Sequence, residues 1–191
     1  MKKVRTTILA FLAIFSCLIL FTSCEKTDID INNYESKRLN IGNASDMMPS
    51  LSELGTYTDI KYSHKNREDL FVTDTLSLFV KYSNVEYKTN KQKVLEKYDF
   101  IREPIINDKG WYLIPVSEID YKGYHFKIVS DNKAYSACQS FLMVGFDDAN
   151  SKIAYCYIYD FDRDLIAESS EDPVEKMTDF IDYNFLWNDF N

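Results

Sequence analysis

The run Ile153-Ala154-Tyr155-Cys156-Tyr157-Ile158-Tyr159 carries no charged residue and no polar-apolar alternation. A strand with one wet face alternates, so a short run without alternation predicts a central strand covered on both sides. Its neighbour is legible too. Ser140 to Phe146 is a second apolar run, and Asp147-Asp148-Ala149-Asn150 is the turn that joins them into a hairpin. Leu76, Leu78, Val80 and Tyr82 then alternate at period 2, the pattern of a strand with one buried face. Tyr57 to Tyr62, Leu70 to Thr73, Trp111 to Pro115 and Tyr121 to Val129 read as shorter strands, the last broken at Gly123. Fourteen Tyr and 13 Phe against only 5 Gly favour this strand-rich reading.

Two helices complete the pattern. From Asn84 to Tyr98 an apolar stripe of Tyr87, Val94, Leu95 and Tyr98 opposes a face rich in Lys and Glu. Asp172-Pro173-Val174-Glu175 combines an N-cap, a proline at the first helical position and an acid in the first turn. Val174, Met177, Ile181 and Phe185 follow at helical spacing, with Phe180, Leu186 and Trp187 widening that face. The fold class expected is α+β: one mainly antiparallel sheet of about five to seven strands packed by two amphipathic helices. Residues 51–191 form the single expected domain, opening at a helical turn over Leu51 to Leu54 after Pro49 and Ser50. Residues 24–50, interrupted by Asp28, Asp30, Asn32, Asn33 and Asn40, show little periodicity and read as a flexible stalk with a reach of about 25–30 Å.

The N-terminus has a different character. Lys2, Lys3 and Arg5 precede an apolar core from Ile8 to Phe21, and no acid occurs before Glu25. A helix over that core rises about 21 Å, short of the ~30 Å of a bilayer's hydrocarbon, so it suits an export signal better than a permanent span. Leu20-Phe21-Thr22-Ser23-Cys24 resembles the lipobox of bacterial lipoproteins, with Phe21 where leucine is usual. The resemblance implies that residues 1–23 are a cleaved signal peptide and that Cys24 becomes the lipidated N-terminus. It also implies a cell-envelope location facing outward, with the membrane as partner through the acyl chains. At about 0.8 kcal/mol per buried methylene, two or three such chains anchor stably. In general character the remainder resembles the small lipoproteins of low-GC bacteria, which implies no activity.

Loss of residues 1–23 leaves 168 residues, and the formal charge moves from −8 to −11 because 30 acids then face 19 bases. So acidic a chain argues against nucleic acid as a partner. Besides Cys17 and Cys24 there are Cys138 and Cys156. Pairing across the Asp147 turn sets Cys156 opposite roughly Met143, about 16 Å along the strand from Cys138, so buried free thiols are expected instead of a disulfide.

Candidate chemistry is sparse. Asp160, Asp162, Asp164, Glu168 and Glu171 fall at positions 1, 3, 5, 9 and 12 of an EF-hand-like count, the hard-oxygen pattern that calcium requires. Leu165 stands where glycine would make the sharp turn, and the competing reading is a solvated strand end. A calcium site would draw on Asp160, Asp162, Asp164 and Glu171; no other cofactor is indicated. His64 and His125 have no companion at zinc-ligand spacing, and His125 reads as an outward residue of a strand. No nucleophile elbow, P-loop or dinucleotide fingerprint occurs. Tyr155, Tyr157, Tyr159, Phe161, Trp111 and Tyr112 are candidates to line a binding groove, the competing reading being that most of them are core. The function expected is a non-catalytic binding or interaction module of the envelope, its partner another envelope protein or a small ligand. The alternatives are a calcium-dependent envelope protein and a small hydrolase, the latter needing a pocket with a histidine or convergent acids.

Overall fold

The computed structural model describes residues 24–68, 72–130, 139–161 and 166–187. Among the described residues nine strands lie in chain order: β1 (Cys24–Asp28), β2 (Asp59–Glu68), β3 (Val72–Lys81), β4 (Ile105–Ile106), β5 (Tyr112–Ile114), β6 (Glu118–Tyr121), β7 (Tyr124–Ser130), β8 (Ser140–Asp147) and β9 (Lys152–Asp160). The α-helices are α1 (Tyr34–Asn40), α2 (Ala44–Met47), α3 (Asn84–Lys97) and α4 (Pro173–Asn184), with 3-10 turns at Ile31–Asn33 and Leu51–Leu54. Seven strands form one antiparallel sheet in the order β1-β2-β3-β9-β8-β7-β6, and β4 pairs with β5 apart from it. The fold is α+β, as expected.

β9 is central, and its alternation sorts the core into two layers. Ile153, Tyr155 and Tyr157 join Leu76, Leu78, Val80, Leu142 and Val144 beneath the helical elements of residues 31–54 and α3. Ala154, Cys156 and Ile158 join Phe126, Ile128, Phe141 and Met143 beneath α4, where Met177 and Ile181 are fully buried. Asp172 caps α4 by accepting the Val174 and Glu175 amides at 2.9 and 3.2 Å, and Trp187 packs edge-on to Phe79 at 5.4 Å. The β8–β9 register sets Met143 opposite Cys156, and Cys156 is a buried free thiol. Cys138 lies outside the described residues, as do Leu70 and Phe71 of the strand expected at Leu70 to Thr73. The break at Gly123 is a two-residue hairpin turn between β6 and β7: Lys122 and Gly123 have φ of 48° and 84°, the positive pair that matches strand twist.

The stalk is not there. β1 is an edge strand of the sheet, and Tyr34, Ile41, Ala44, Met47 and Met48 are buried in the core, so residues 24–50 belong to the folded unit instead of preceding it. The Asp and Asn residues that break the periodicity serve as local caps. Asp28 accepts the Asp30 amide at 2.9 Å and the Asn33 side chain at 2.9 Å, and Asp30 accepts the Asn32 amide at 3.0 Å. Elements this short bury two side chains at most, too few to show a period. Two helices beyond the expected pair, α1 and α2, come from this segment.

Candidate functional site

The face under α3 holds a pocket of about 260 Å³. Three tyrosines converge on it: Tyr82 from just past β3, Tyr155 from β9 and Tyr98 at the end of α3. Asn90 and Val94 of α3 and Leu54 of the second 3-10 turn close the sides. Local chemistry positions each wall. The Ser83 hydroxyl caps α3 by accepting the Glu86 amide at 3.3 Å, and Asn90 donates to the Glu86 carbonyl at 2.9 Å. Tyr98 donates to the Met47 carbonyl at 2.9 Å, tying α3 to the segment expected as stalk. Glu53 accepts the Ser50 amide at 2.7 Å and pairs with Lys97 at 2.7 Å across the rim, which holds its carboxyl down from 4.5 to about 2.

Tyr82 differs from its neighbours. It is 3 % exposed and its hydroxyl has no hydrogen-bond partner. Burial raises the phenols of Tyr82, Tyr98 and Tyr155 above their ordinary value, so each stays a neutral donor. A buried hydroxyl left without an acceptor costs about 1–3 kcal/mol. An acceptor that reached this hydroxyl would recover that cost.

A second cleft, about 280 Å³, opens between β1 and β3 beside α1. His64 lies in it, 4 % exposed, with Nε2 2.8 Å from Asp74 Oδ1. Asn66 donates to the same carboxylate oxygen at 3.0 Å. Lys26 and Glu68 face each other at 3.8 Å on its rim. The pair can hold and orient an imidazole, but no serine, threonine or cysteine is hydrogen-bonded to His64 among the described residues. Asp74 continues the alternation of Leu76 and Leu78 by one step, which is the signal that could have found it. His125 is an outward residue, as read, lying 2.8 Å from Asp120 and 3.6 Å from Glu118 on the β6–β7 hairpin.

Compared with known proteins, the chain matches no family model, no curated protein and no solved structure. The site must therefore be read from its own geometry.

Of the acidic residues proposed for calcium, Asp162 and Asp164 lie outside the described residues. Asp160 ends β9, where its amide donates to the Gln139 carbonyl at 2.8 Å. Glu171 accepts the Glu168 amide at 2.8 Å and pairs with Lys176 at 2.9 Å, which lowers its pKa and uses it to start α4. No group of three or more His, Cys, Asp or Glu side chains among the described residues is placed to hold a metal ion. No described helix is long and apolar enough to cross a membrane. Of the candidate groove aromatics, Tyr155 lines the tyrosine pocket, while Tyr157 is core and hydrogen-bonds Asn43 at 2.7 Å.

Proposed function

We propose that this protein is a lipid-anchored, outward-facing binding module of the cell envelope whose guest enters the tyrosine pocket. The single observation that carries the binding reading is that Tyr82, whose buried hydroxyl has no hydrogen-bond partner, lines an open cavity. The cavity lies just under the usual range of about 300–1,000 Å³ for drug-sized ligands, so the guest is small. It has an apolar body to meet the tyrosine rings and an oxygen acceptor to meet Tyr82.

The anchoring half of the reading rests on the lipobox resemblance at Cys24. With no stalk, the acyl chains would hold the Cys24 end of the sheet close to the bilayer.

Crystallographic fragment screening tests the pocket. Small aromatic ketones and amides should be found there with an oxygen within hydrogen-bond distance of Tyr82, and Tyr82→Phe should lower their occupancy. Val94→Trp, which fills the cavity, should abolish it. Fragments that ignore this pocket, or bind Tyr82→Phe equally, would remove the basis for the reading.

A hydrolytic reading is favoured by one observation, the His64–Asp74 pair in its cleft. If it holds, hydrolysis of 4-nitrophenyl acetate is faster with the protein than with a His64→Asn variant. Equal rates end it.

A further inference from the structure

The opposite face of the sheet carries another cavity, of about 300 Å³, at the strand ends remote from Cys24. Lys61, Lys81, Lys152, Asp59 and Tyr124 line it, with Phe79. The register puts Lys81 of β3 directly opposite Lys152 of β9. Like charges facing each other across strands destabilise a sheet, so this pair needs a compensating charge. Each lysine has an acid on its other flank, Asp59 opposite Lys81 and Asp147 opposite Lys152. Neither lysine forms an ion pair with these acids or with any other described residue. The acids are turned to local work. Asp59 accepts the Ile60 amide at 3.0 Å, and the Asp147 carboxylate accepts the Asn150 amide at 3.0 Å and its side chain at 2.7 Å.

The wall supplies a second observation. Tyr124 is 6 % exposed, lies edge-on to Phe79 with ring centroids 6.0 Å apart, and its hydroxyl has no hydrogen-bond partner. Two lysines without an ion pair and a tyrosine whose buried hydroxyl lacks a partner thus line one cavity, beside Asp59, in a chain whose net charge is −8. All three groups offer protons, which selects an anion with oxygen acceptors.

We propose that this cavity binds the oxyanion group of a small molecule, a phosphate or a carboxylate, between the Lys81 and Lys152 ammonium groups and the Tyr124 hydroxyl. β2 runs ten residues from Asp59, at this cavity, to Glu68, the partner of Cys24. At ~3.3 Å per residue the cavity is about 30 Å from the anchor point, so under the anchoring proposed above it faces away from the bilayer and takes a soluble anion.

Calorimetric titration of the detergent-solubilised full chain with inorganic phosphate and, separately, with acetate at fixed ionic strength tests the site. Saturable heat with phosphate alone assigns a phosphoryl ligand, and saturable heat with acetate assigns a carboxylate; either supports the site. Lys81→Ala and Lys152→Ala should each weaken that binding by roughly tenfold. The isosteric Tyr124→Phe should weaken it severalfold with unchanged circular dichroism, and Lys88→Ala on the exposed face of α3 should leave it unchanged. No saturable heat with either anion, or wild-type affinity in both lysine variants, overturns the proposal. Because Tyr82 is not involved, failure here leaves the tyrosine pocket standing.

Discussion

Replacing Tyr34 by alanine separates a docked N-terminal segment from a stalk. Tyr34 is 0 % exposed, donates from its hydroxyl to the Pro49 carbonyl at 2.5 Å, and meets Tyr62 edge-on with ring centroids 5.5 Å apart. Truncating a buried aromatic side chain costs about 3–5 kcal/mol, which includes the cavity it leaves. Orphaning the Pro49 carbonyl adds a penalty that overlaps with this figure, so ~4 kcal/mol is the working value. A domain of 168 residues loses about 2–4 °C of Tm per kcal/mol, which gives a drop of roughly 8–16 °C. Tyr34→Phe keeps the ring and gives up only the hydrogen bond, so its cost is about 1–2 kcal/mol. Thermal unfolding of residues 24–191 followed by circular dichroism, with urea titration as a second probe, provides the comparison. A residue on a stalk would show changes within about 0.5 kcal/mol. A Tyr34→Ala loss below about 1 kcal/mol would refute the docking.

Gly145→Ala should destabilise by about 1–3 kcal/mol, because a Cβ there would stand 2.5 Å from Phe126 Cε1 inside the core. Pairing it with Phe126→Leu should recover part of the loss, and strict additivity in urea denaturation would count against a direct clash. Glu53 has a folded pKa of about 2 against an ordinary 4.5, so its stabilisation is complete above about pH 4.5 and disappears as pH falls toward 2. The pair is half exposed, which holds the effect under ~1 kcal/mol. The stability gap between wild type and Glu53→Gln should therefore shrink on acidification, and a gap that widens would contradict the assignment.

The hairpin of β8 and β9 was legible with its approximate register, because two apolar runs flanking a marked turn identify both strands. The cap of α4 was legible for a similar reason: Asp172, Pro173 and Glu175 act within a single turn. What escaped was built from long-range contacts. Residues 24–50 fold through isolated side chains such as Tyr34 and Met48, each meeting a surface supplied from elsewhere in the chain. The Asp74 partner of His64 stood one alternation step before the apolar stretch of β3, but the contact itself crosses strands and no local pattern pairs the two residues. Nothing local distinguishes Tyr82 from other aromatic residues of a strand. Its hydroxyl is buried without a partner in a pocket whose other walls come from α3 and the second 3-10 turn. The lysine pair is a matter of register between strands 71 positions apart in sequence, Lys81 and Lys152, which no window of the chain contains.

The anchor is tested most directly by intact mass and membrane partitioning of the protein expressed in a bacterium with lipoprotein processing, beside a Cys24→Ala variant. The reading predicts a wild-type chain that lacks residues 1–23, carries diacylglyceryl mass on Cys24 and stays with the membrane. The variant should lose that mass and either leave the membrane or accumulate uncleaved. Identical mass difference and partitioning for the two proteins would contradict a lipid on Cys24 and, with it, the placement of this module in the envelope.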